Sequence, residues 1–176
     1  MTEKPFIHII LDSSLRDAFS HQLTAQVSAV ARGLDDAGIE MIEVSHGDGL
    51  GGSTATYGFS KQSEMELIQS ASEVIRNGKL PVLLLPGIGT KDDRKMAVDY
   101  GAKVVQIAIY VIEADVAQQH IGQEHGHGSH WHAHAVPHGL AEKDCRAGKL
   151  MESYGADVVL VTRRAEARRT YSSKLL

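Results

Sequence analysis

Four short apolar runs, each followed by a segment of helical period, fill the first two thirds of the chain, and this alternation restricts the fold more than any other feature. Phe6–Leu11, Ile39–Val44, Leu80–Leu85 and Lys103–Val111 read as strands, rich in β-branched residues and bounded by turn formers. Residues 21–37 place Leu23, Val27, Val30, Ala31 and Leu34 at helical spacing, with Gly38 where a C′ glycine belongs. Ser63–Asn77 repeats the pattern with Met65, Ile68, Ala71 and Ile75, and Gly78 follows its end. Thr90 is expected to cap a helix running to Tyr100, with Asp92 and Asp93 favourably placed in the first turn. Glu113–Gln123 is expected to be a fourth helix.

Strands alternating with helical crossovers require a parallel sheet covered by helices, so the fold class is α/β. Two closures remain: a (β/α)8 TIM barrel, of which this chain holds the first four to six units, or an open doubly wound parallel sheet. Length favours the open sheet, because 176 residues fall short of the ~250 that eight βα units typically occupy.

Composition excludes several functions. A formal charge of -4 and a pI near 6.2 leave no basic excess for nucleic acid. No apolar run approaches the ~20 residues that span a bilayer. Residues 1–5 do not lead into a signal-type segment, and the single cysteine, Cys145, fits a reducing compartment, so a cytoplasmic location is expected.

After Gly122 the pattern changes. Seven of the 10 histidines lie between His120 and His138, and HGHGSHWHAHAVPH (125–138) has neither strand nor helix periodicity, so a fifth strand is missing where the spacing calls for one. His125, His127, His130, His132 and His134 form a candidate site for zinc, nickel or copper. Beyond the tract, Ala141–Tyr154 is expected to be a helix and Asp157–Thr162 a strand, followed by a basic tail with little apolar pattern.

In either parallel architecture, ligands collect at the carboxyl ends of strands. DSSLRD (12–17) follows the first strand there. Asp17 is a hard oxygen ligand for a divalent cation, and Arg16 is a guanidinium suited to an enolate or carboxylate. A plain surface Arg–Asp pair, with Asp12 capping a turn, explains the same residues. HGDGLGGS (46–53) follows the second strand, where its glycines permit positive φ and a close approach to a ligand, or simply make a flexible connector. It lacks the Gly-Lys-Ser/Thr ending of a phosphate loop. LLLPGIG (83–89) marks a tight turn that packing alone would account for.

Taken in order, DSSLRD, HGDGLGGS with Tyr57-Gly58-Phe59, LLLPGIGT (83–90), EADVAQQHIG (113–122) and LMESYGADVV (150–159) resemble the pyruvate-type aldolases related to hydroxymethylglutaryl-CoA lyase. The likeness runs almost continuously over 6–122 and returns at 149–159. It divides the chain into residues 1–122 (the N-terminal part of a barrel), 123–149 (a divergent His-rich segment) and 150–176 (a barrel remnant with a basic tail). The resemblance implies an incomplete TIM barrel, Mn2+ or another divalent metal, and a class II aldolase of aromatic-compound breakdown. Such an enzyme splits a 4-hydroxy-2-oxo acid into pyruvate and an aldehyde. It also implies an acylating acetaldehyde dehydrogenase as partner, with no nucleic acid and no membrane. Carried over residue by residue, Asp17 is the metal ligand, Arg16 stabilises the enolate, and both bind the 2-oxo acid.

The chain departs from that pattern in three places. Ser20 stands where the family has its proposed base, leaving His21 as the catalytic candidate to remove the 4-hydroxyl proton. The family's later H-x-H ligand pair has no counterpart at its place. Arg163-Arg164-Ala165 replaces a D-S-A-G turn. The His tract reads as the product of compensating frameshifts, since methionine codons read one base early become histidine codons. Weak or absent activity is therefore expected, with a non-catalytic remnant or His-rich metal module, or an open-sheet small-molecule binder, as the competing functions.

Overall fold

The computed structural model describes residues 10–18, 22–121, 130–136, 141–162 and 168–172. Strand β1 (Leu11–Asp12) is followed at once by a four-residue turn of helix, α1 (Ser14–Asp17). Then come α2 (Thr24–Asp36), β2 (Met41–Ile42), α3 (Glu64–Ser72), β3 (Pro81–Leu84), α4 (Lys91–Asp99) and β4 (Val104–Tyr110). A 3-10 segment (Val111–Ala117) leads into α5 (Gln118–Ile121), and the chain continues through β5 (His130–Val136), α6 (Ala141–Ser153), β6 (Val158–Thr162) and β7 (Arg168–Ser172).

β1 pairs parallel with β2, and β3 through β6 pair parallel in sequence order. The two sheets meet where the Ile42 and Val44 N–H groups donate to the carbonyls of Lys79 (3.0 Å) and Pro81 (3.1 Å). All four residues of β3 are buried, as are Val104, Val105, Gln106 and Ile107 of β4, because helices cover the sheet. Leu67, Ile68 and Ala71 of α3 and Val27 and Ala31 of α2 supply the opposing apolar stripe.

Local signals position several ends. Gly38 has φ +82°, and the N–H of Ile39 reaches the Leu34 carbonyl at 3.0 Å, closing α2 in a Schellman turn. The Thr90 hydroxyl accepts from the Asp93 N–H while Asp93 returns to the Thr90 N–H, so α4 opens on a capping box.

Four expectations need correction. The tract expected to lack a strand carries β5, which pairs with β4 from Val104↔His130 to Tyr110↔Val136 and buries Ala133 completely. Within it His130, His132 and His134 alternate with Trp131, Ala133 and Ala135, the period of a strand, which the histidine-rich composition of the whole tract obscures. The tail, expected to be unpatterned, carries β7, antiparallel to β6. The helix expected over 113–123 is 3-10 to Ala117, with a kink at Glu113 (φ -116°, ψ 22°), and α-helical only over Gln118–Ile121; residues 122 and 123 lie outside the described residues. Finally, α3 ends at Ser72 rather than Asn77. The buried Asp35 carboxylate accepts the N–H groups of Arg76, Asn77 and Gly78 and the Asn77 side-chain amide, pulling residues 76–78 out of any helix. Burial opposes the Asp35 charge, but those amides outweigh it and hold its carboxyl below the ordinary range.

Candidate functional site

The first strand delivers α1 to the carboxyl end of the sheet, and two local contacts fix its orientation. Asp12 Oδ1 accepts the Ser14 N–H at 3.0 Å, and Leu15 is driven into the core with 1% of its surface exposed. With Leu15 pointing down, Arg16 and Asp17 stand beside the strand ends. Arg16 Nε and Nη2 both donate to Asp17 Oδ1, at 3.1 and 2.8 Å. The expected Arg–Asp pair is therefore present, and so is the expected Asp12 turn.

The guanidinium has a second anchor. Arg16 Nη1 donates to Glu43 Oε2 at 3.1 Å, and the Glu43 side chain is wholly buried just past β2. Its other oxygen, Oε1, has no hydrogen-bond partner among the described residues. Burial pushes the Glu43 carboxyl up to about 7; the Arg16 charge opposes that rise, and the Asp17 charge adds to it. A plain surface pair would not show this carboxylate. Sequence reading passed over Glu43 as one residue of an apolar strand. The available signal was the pair of acids, Glu40 and Glu43, inside Ile39–Val44, a run expected to be a strand.

The glycine-rich segment after β2 is an ordered loop packed on the sheet. Ser45, His46, Leu50 and Gly52 are buried, and Gly49 and Gly51 have φ of +80° and +74°. A Cβ at Gly52 would lie 2.6 Å from His46 Nδ1, and one at Gly49 would lie 3.0 Å from the Leu83 carbonyl oxygen. The Glu64 carboxylate, at the start of α3, takes the N–H groups of His46 (3.1 Å) and Gly51 (3.0 Å). Burial raises the Glu64 carboxyl, against the Gly51 and His46 amides that favour its charge. These two amides are thus occupied by the protein's own carboxylate. The expected tight turn after β3 is seen, with Gly87 at φ +91° and the Ile88 N–H donating to Leu85.

His21, the candidate base, lies outside the described residues, as do His125 and His127 of the His tract. Among the described residues no group of three or more His, Cys, Asp or Glu converges as a metal site. Asp17 is a single, largely exposed carboxylate with one oxygen engaged by Arg16, so the described residues do not by themselves fit a divalent cation. No helix among them is long and apolar enough to cross a membrane.

Parallel strands covered by helices, with an arginine gripped by two carboxylates at their carboxyl ends, define an α/β protein whose charged cluster sits where such folds carry their sites. The chain belongs to the HMGL-like family, whose profile matches residues 8–134. It is 50% identical over 170 residues to "4-hydroxy-2-oxovalerate aldolase" of Moorella thermoacetica, covering 92% of this chain and 49% of that protein. It is 49% identical to the protein of that name from Carboxydothermus hydrogenoformans, covering 94% of this chain and 51% of the relative. The protein of that name from Thermus thermophilus is 45% identical, with 94% of this chain and 49% of the relative covered. The chain thus spans about half the length of the curated relatives it matches.

Proposed function

We propose that this chain is part of a 4-hydroxy-2-oxovalerate aldolase, a carbon–carbon lyase that cleaves its 2-oxo acid to pyruvate and acetaldehyde, and that on its own it is weakly active. The observation that carries the reading is the Arg16 clamp. The Asp17 and Glu43 contacts use three of the five guanidinium N–H groups, leaving one on Nη1 and one on Nη2 without a partner among the described residues. Those two donors suit the carboxylate or enolate oxygens of a 2-oxo acid, where negative charge grows as the carbon–carbon bond breaks. Asp17 and Glu43 hold the group in place before substrate arrives, so little reorganisation is needed during reaction. A divalent cation such as Mn2+, expected from the family resemblance, would polarise the 2-oxo group. Asp17 offers it one oxygen, and further ligands must come from residues beyond those described. A base for the 4-hydroxyl proton is also required, and His21 is the candidate.

The strand order supports a partial TIM barrel over an open doubly wound sheet. From β1 to β6 each parallel strand lies beside its predecessor, whereas a doubly wound sheet reverses direction at a switch point. Weak turnover is expected of the chain by itself because it corresponds to about half the length of the aldolases it resembles. The likeness to whole aldolases extends the proposal to an acetaldehyde dehydrogenase partner, a cytoplasmic location and a role in aromatic-compound breakdown. Pyruvate release from 4-hydroxy-2-oxovalerate with Mn2+ tests the reading. A slow release abolished by Arg16→Met is expected, whereas a rate indifferent to Arg16 argues against it.

A further inference from the structure

Glu64 has no part in the chemistry just described, yet this half-buried acid is bonded to the loop that follows Glu43. Glu43, Val44, Ser45 and His46 form one fully enclosed segment, with 0%, 0%, 0% and 4% of their surface exposed. At one end, Glu43 grips Arg16 at 3.1 Å; at the other, the His46 N–H is held by Glu64 Oε1 at 3.1 Å. Glu64 Oε2 takes the Gly51 N–H at 3.0 Å, so a single carboxylate pins the loop that follows β2 at two points. Between those points the loop passes Arg16 itself, since a Cβ on Gly47 would lie 4.0 Å from the Arg16 carbonyl oxygen. Glu64 cannot drift, because its backbone opens α3, whose Leu67 and Ile68 are completely buried. We infer that Glu64 is a positioning residue for the Arg16 site, fixing the loop after β2 and, through His46, the end of the segment that presents Glu43 to Arg16.

This inference rests on reading Arg16 as the anion-binding group, but its geometry is measurable without substrate. In the full chain, Glu64→Ala should release the His46 and Gly51 amides to exchange at least about tenfold faster, because each loses a charge-assisted bond. It should also move the Arg16 Nε–H resonance and the Glu43 carboxyl titration, which a purely structural role would leave alone. Glu64→Gln keeps an oxygen for one of the two amides and should give an intermediate effect; it also keeps the test decisive if the alanine variant does not fold. Faster exchange with unchanged Arg16 and Glu43 signals would overturn the proposal, as would unchanged exchange. Failure of the aldolase reading would show separately, as wild-type chain that does not bind oxalate, a planar analogue of the pyruvate enolate.

Discussion

Arg16 Nη1 sits 3.1 Å from Glu43 Oε2, joining a solvent-facing helical turn to a sealed carboxylate 27 residues further along the chain. The guanidinium is the group that offsets burial of Glu43. Replacing it with methionine should drive the Glu43 carboxyl further above about 7, and Asp17→Asn should lower it, since the Asp17 charge works against ionisation. Titration of the Glu43 carboxyl carbon by NMR in the two variants should show shifts of opposite sign.

The same residue gives stability a definite pH dependence. Its folded value of about 7 lies above the ordinary 4.5, so the unfolded chain releases this proton more readily. Glu43 therefore contributes stability that is fully present below pH 4.5 and is lost as pH rises through 7, by about 3 kcal/mol across the window. Denaturant unfolding between pH 4.5 and 8 should show this slope in the wild type and not in Glu43→Gln. Asp35 has the opposite sign: with its carboxyl held below 3.8, its contribution is present above that pH and lost as the solution is made more acid.

Asp35→Ala should destabilise the fold by about 3 kcal/mol, because it leaves the N–H groups of Arg76, Asn77 and Gly78 without their acceptor beside a packed turn. A matching fall in the urea midpoint, without a change of slope, is expected.

What could be read in the sequence was local. The Gly38 and Thr90 caps depend on residues within one helical turn of each other, and Arg16 and Asp17 are neighbours, so composition and spacing exposed them. Glu43 and Glu64 act over longer separations, and nothing local distinguishes Glu43 from Glu40 in the same run or Glu64 from Glu66 in the same helical turn. The early end of α3 is likewise set from a distance, by the Asp35 carboxylate of the preceding helix. β5 carries a two-residue alternation of its own, His130 to Ala135, but the glycines and histidines on either side of it break the pattern over the tract as a whole.

Two glycines should respond oppositely to alanine. Gly52→Ala forces a Cβ to within 2.6 Å of His46 Nδ1 and 2.8 Å of the Gly49 carbonyl oxygen, and should cost about 1–3 kcal/mol. Gly33 lies inside α2 with nothing within 4 Å of the added carbon, so Gly33→Ala should stabilise by about 0.5–1 kcal/mol. Thermal melts of the two variants check both signs.

The central claim is that Arg16, held by Asp17 and Glu43, receives the oxygens of a 2-oxo acid. Its most direct test is a titration of the chain with oxalate while the Arg16 Nε–H resonance is followed by NMR, with Arg16→Met as control. A saturable shift at Arg16 and Asp17, with binding lost in the variant, is the predicted result. Binding that survives Arg16→Met, or no change at Arg16 up to saturating oxalate, would contradict the account.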